Sequence, residues 1–219
     1  MIIAASAISK FNIRFPSNDK PNMWSSKTSI ADSSNLTNSV SITGKKVSVG
    51  ENIKSVSEAC DFTYKVSHVL SSKKRRTIKL PYLNLWGEIK KDEADNLIGD
   101  DTYVVISITI QNNKATSQEL YLNSLRLDFK DKFNQILDSK EVHAINHNVE
   151  NAHKKNAMQY IFKPHESTKF DILFIVKDKL LHSSTIELAI TNESPTKNDG
   201  SYSDDARFVT IRPEDIKKE

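Results

Sequence analysis

At 219 residues the chain is long enough for one β-sandwich with extensions or for two small domains, and its 37% apolar and 27% charged side chains set it apart from a wholly disordered composition. Its 31 basic and 28 acidic side chains leave a net charge of +3, too small to argue for nucleic acid as a partner. The single cysteine, Cys60, excludes an intrachain disulfide and a cysteine-based zinc cage, and no apolar run reaches the roughly 20 residues of a membrane-spanning helix.

The opening stretch, Met1 to Ser9, reads either as the remnant of an export signal or as an apolar end tucked against the body. Ser, Asn, Thr, Asp and Lys dominate from Ser17 to Gly44, a composition with too little apolar surface to offset ordering entropy, so residues 1–44 are expected to form a flexible polar arm. Strands are predicted near 47–49, 62–70, 78–86, 103–111, 119–129, 158–163, 168–176 and 185–191. The clearest alternation is in Val104, Ile106, Ile108 and Ile110, and in Phe170, Ile172, Phe174 and Val176, which fall on one face of their strands because successive side chains point oppositely. Phe62, Tyr64, Val66, His68 and Leu70 are likewise assigned to one face. Leu120 and Leu122 are out of phase with Leu125, Leu127 and Phe129, which a bulge or bend near Asn123 and Ser124 repairs. Residues 141–154 carry Val142, Ile145 and Val149 at helix-compatible spacing and read as one short helix or a long loop. A polar tail, 192–219, holds one candidate strand at 207–212. Many short strands joined by turn-rich links make the fold class all-β, an antiparallel β-sandwich over residues 45–191.

Four short motifs add a resemblance. Lys46 to Glu51 (KVSVGE), Phe62 to Val66 (FTYKV), Tyr103 to Asn112 (YVVISITIQN) and Phe162 to Ser167 (FKPHES) are similar, in order, to the immunoglobulin-like domain of uncharacterised Gram-positive bacterial surface lipoproteins. That domain has a Val-x-x-Gly-Glu opening, a strand ending in Asn and a Lys/Pro-Gly-Glu-Ser turn before a buried strand. His165 stands where the turn usually has Gly, and no Leu-x-x-Cys lipid-attachment box occurs near the start. The resemblance implies an immunoglobulin-like sandwich and an exported, non-catalytic module, and it carries over no functional residues.

Candidate sites are few. Lys73, Lys74, Arg75 and Arg76 form the densest basic run, and Tyr82 and Trp86 follow on one face of a predicted strand. They read either as a contact surface or as a solvated basic hairpin beside a core face. His143, His147 and His153 lie in one short window, and on a helix the first two would stack for Zn²⁺, although no His-Glu-x-x-His motif is present. Asp92, Glu93, Asp95, Asp100 and Asp101 are oxygen-rich but misplaced for an EF-hand. Nucleophile elbows and phosphate loops are missing, and no cofactor is indicated. The expected function is a non-enzymatic exported module at a bacterial cell surface, binding a protein or envelope polymer, with no nucleic acid and with the membrane reached only through an anchor outside this sequence. A metal-binding or metal-dependent hydrolase module built on the three histidines, and a phage or mobile-element structural protein, are the alternatives.

Overall fold

Alternating apolar residues give a strand one face that must leave water, so the chain's strands are driven to pack in layers. The computed structural model describes residues 45–56, 60–75, 89–147, 153–154, 158–183, 185–191, 202 and 205–219. In chain order the strands are β1 (Lys46–Ser48), β2 (Asn52–Val56), β3 (Asp61–Ser72), β4 (Asp101–Asn112), β5 (Gln118–Tyr121), β6 (Arg126–Lys130), β7 (Ile136–Glu141), β8 (Ala144–His147), β9 (His153–Lys154), β10 (Gln159–Phe162), β11 (Ser167–Lys177), β12 (Thr185–Ile190), β13 (Arg207–Ile211) and β14 (Ile216–Lys218). One sheet runs β14-β3-β4-β11-β8 with β2 also paired to β3, a second runs β1-β13-β12-β6-β7, and a small third runs β5-β10-β9.

The two large sheets share one apolar cluster. Ile106, Ile108, Phe170, Ile172 and Phe174 of the first meet Leu127, Phe129, Ile186, Leu188, Val209 and Ile211 of the second, all buried. This is a β-sandwich, its strands antiparallel except where β1 runs beside β13 and β14 beside β3. The small sheet closes one end of the same core: the ring of Phe162 in β10 stands edge-on to Phe62 of β3 at 5.3 Å and lies 5.9 Å from Phe170 of β11.

Three details differ from the expected layout, while the bend expected near Asn123 and Ser124 is present. The register of β3 against β4 shifts between Val66 and His68, and this bulge reverses the alternation: Val69 enters the core, while His68 is exposed and Leu70 half-buried, off the face assigned to them. The phase change after Leu122 is a bend, a 3-10 turn over Leu122–Ser124, at which the chain leaves the small sheet as β5 and enters the second large sheet as β6. The helix considered over 141–154 is absent among the described residues, where β8 and β9 stand instead. The sandwich also passes the expected limit at 191, because β13 lies between β1 and β12 with Val209 and Ile211 in the core, and β14 docks on β3. The arm 1–44 and the predicted strand at 78–86 fall outside the described residues.

Polar pins set the ends of strands. Asn112, wholly buried at the end of β4, donates from Nδ2 to the carbonyls of Thr116 and Lys163, both at 2.8 Å, and accepts at Oδ1 from the Lys114 amide at 2.9 Å and from Gln118 Nε2. Gln118 in turn exchanges bonds with the backbone of Asp61, 2.8 Å from its amide and 3.0 Å to its carbonyl. Four strand ends therefore converge on one carboxamide pair, which explains why an Asn closes this strand. The two remaining motif turns work in a similar way. Glu51 accepts the Ser48 amide at 2.7 Å beside Gly50, whose φ of +92° requires glycine, and Glu166 accepts the Lys163 amide at 2.6 Å. His165 adopts a φ of +57° in this second turn, the left-handed conformation that Gly usually supplies.

Candidate interaction surface

β6 and β7 form a hairpin at the edge of the second sheet, and its tip is organised by one carboxylate. Asp131 Oδ1 accepts the amides of Phe133 and Gln135 at 2.8 and 2.9 Å, the Asp131 carbonyl takes the Asn134 amide at 3.0 Å, and Asn134 turns the chain with a φ of +63°. This chemistry holds a tip whose apolar side chains face water. Phe133 is 72% exposed, Leu137 58% and Ile136 50%. Most large apolar side chains among the described residues are interior, so three exposed ones within five residues are a concentration that packing does not explain.

Beside the tip, Asp131, Lys132, Leu137, Asp138, Lys179, Leu180, His182 and Ser183 line an open cavity of about 570 Å³. Lys179 and His182 come from the 3-10 turn Asp178–His182 that follows β11. The acids here are engaged: Asp131 in the loop backbone, Asp138 with Lys140 at 2.8 Å and with the Ser139 amide. The cations are not, since neither Lys132 nor Lys179 has an acidic partner among the described residues, and Lys132 lies over the Phe133 ring at 5.0 Å. The result is an apolar tip with a cationic rim.

No protein-family profile matches the chain, and no curated protein does. Among solved structures it is similar to an uncharacterised β-sandwich protein from Clostridium difficile, at 15% identity and a TM-score of 0.40, covering 78% of this chain and 95% of that one. It is also similar to the yjhA protein from Bacillus subtilis, at 14% and 0.40 over 76% of this chain and 98% of that one. A functionally unknown protein from Listeria monocytogenes matches at 12% and 0.40, over 74% and 82%. These likenesses give no residue a role.

The described residues singled out from sequence lie in several elements. Lys73 serves the fold: its ammonium donates to the carbonyls of Gly99 and Asp101, at 2.6 and 3.1 Å, and to Asp178 Oδ2 at 2.7 Å, tying the 73–100 segment to the turn after β11. Asp178 also accepts from Thr102, and these bonds hold its carboxyl below the usual range. The Arg75 amide binds Asn96 Oδ1 at 2.8 Å and the Lys74 amide binds Ser72 Oγ at 3.0 Å. Arg76, Tyr82 and Trp86 lie outside the described residues. The acidic segment is likewise structural: Asp92 closes its own turn by accepting from the amides of Ala94 and Asn96, Asp95 pairs with Lys91 at 2.6 Å, and Asp101 with Lys177 at 3.0 Å.

The histidines belong to different elements. His143 follows β7, donates its amide to the Leu173 carbonyl at 2.8 Å and borders a cavity of about 460 Å³ together with Asp101, Glu141 and Lys177. His147 lies opposite Phe170 in the first large sheet, whereas His153 lies opposite Ile161 in the small one. With strand spacing in place of a helical turn, the backbone carries residues 143 and 147 about 13 Å apart instead of stacking them. Among the described residues no group of three metal-ligating side chains is placed to hold an ion. The hairpin tip escaped the sequence reading, although Asp131 and Asn134 flanking an aromatic are a turn signal.

Proposed function

We propose that this protein is a non-enzymatic interaction module, an immunoglobulin-like sandwich displayed outside a Gram-positive bacterial cell, and that the β6–β7 tip is its contact surface. The observation that carries the reading is Phe133, held out in water by a loop whose shape is fixed by the Asp131 carboxylate on the Phe133 and Gln135 amides and by the Asp131 carbonyl on the Asn134 amide. A rigid aromatic anchor beside a concave surface costs little side-chain entropy to engage, as the centres of binding interfaces require. The immunoglobulin-like assignment and the export rest on the motif resemblance. Asp101 and Lys177, which border the cavity beside His143, are paired with each other and serve the fold.

The test is binding to a washed Gram-positive envelope preparation by wild type and by Phe133→Ala and Leu137→Ser. Both side chains are exposed, so the variants keep the wild-type melting temperature within a degree or two while capture falls. Capture that survives both substitutions removes the tip from the function.

A further inference from the structure

The chemistry of the tip narrows its partner, and this step rests on the reading of the tip as a contact surface. We infer that the β6–β7 tip docks on a lipid bilayer bearing anionic headgroups, with Phe133, Ile136 and Leu137 entering the boundary between headgroups and acyl chains while Lys132 and Lys179 engage the lipid phosphates.

Three features of the site select this partner. The exposed apolar side chains sit at and just after the turn of a hairpin, where Asp131 already holds the amides of Phe133, Asn134 and Gln135, so these donors keep their partners at a soft interface. Charge leans in the sense such a surface requires: Asp138 is paired with Lys140, Asp131 keeps its charge with Oδ1 on two loop amides, and the ammoniums of Lys132 and Lys179 have no acidic partner among the described residues, which leaves the rim net positive. Lysine stems let these heads remain at the phosphate level while the neighbouring apolar groups go deeper. No helix of the described residues is long and apolar enough to cross a membrane.

Co-sedimentation of the full chain with phosphatidylcholine vesicles, with and without about 30% phosphatidylglycerol, tests this. Binding is expected only to the anionic vesicles and is expected to weaken as salt rises. Phe133→Ala lowers partitioning roughly tenfold, the value of one buried aromatic side chain. The pair Lys132→Glu and Lys179→Glu abolishes it, and Tyr121→Ala, an exposed aromatic on β5, leaves it unchanged. Failure to bind anionic vesicles overturns the lipid assignment, and it leaves the interaction-module reading standing if tip-dependent capture by the envelope preparation persists. Equal binding by wild type and Phe133→Ala overturns it as well, because attraction without insertion is not the proposed contact. Loss of both vesicle binding and envelope capture in the wild type refutes both readings.

Discussion

Replacing Asn112 by Ala tests whether one buried carboxamide fixes the ends of four strands. The change deletes two donor bonds of 2.8 Å to the carbonyls of Thr116 and Lys163 and two acceptor bonds from the Lys114 amide and Gln118, at a site with no solvent exposure. At a net value of roughly 1 kcal/mol for each bond, the loss is about 4 kcal/mol, a large share of the roughly 5–15 kcal/mol that holds a domain together. For a body of this size the melting temperature falls by about 12 °C. Asn112→Asp keeps the acceptor yet turns a carboxylate toward two carbonyl oxygens, so it is at least as damaging. Urea denaturation reads the free energy directly, with an unchanged m-value showing that the same surface is exposed on unfolding. A loss below about 1 kcal/mol refutes the reasoning, since it means that water or neighbouring groups replace all four bonds.

His165→Gly removes a side chain from a left-handed backbone position and raises stability by about 0.5–1 kcal/mol, the relief of strain outweighing the freedom that glycine adds to the unfolded chain; equilibrium unfolding measures it. Glu187, only 1% exposed on the outer face of the second sheet, is shared by the ammoniums of Lys46, at 2.6 Å, and Lys130, both of which lie over the Phe208 ring. Glu187→Gln strips the counter-charge from a buried lysine and costs about 3 kcal/mol in denaturant titration. Asp178 is held below its ordinary range by Lys73 first and Thr102 second, so its contribution is complete above the unfolded value near 4 and disappears as pH falls through the lowered value. Asp178→Asn therefore melts below wild type at neutral pH, and the gap closes in melts taken below about pH 4.

The inner faces were legible wherever a strand is long and buried on one side. β4, β11 and β12 carry an apolar residue at every second position, and nothing but a half-buried strand requires that pattern. The bulge in β3 was not legible, because one extra residue between Val66 and Val69 leaves no mark in composition while it moves His68 and Leu70 off the core face. β7 is an edge strand whose adjacent Ile136 and Leu137 are both exposed, so it has no alternation to find. β13 and β14 are three to five residues long, and partners far away in the chain decide their burial, which local pattern cannot register. Lys73 reads as surface until the fold brings Gly99 and Asp178 to it.

The account turns on a rigid sandwich that meets its partner through the β6–β7 tip. Hydrogen–deuterium exchange of the full chain, alone and bound to the envelope preparation, tests that most directly. New protection confined to residues 131–137 and 179–183 is the predicted result. Protection over 73–75 with none at the tip contradicts it.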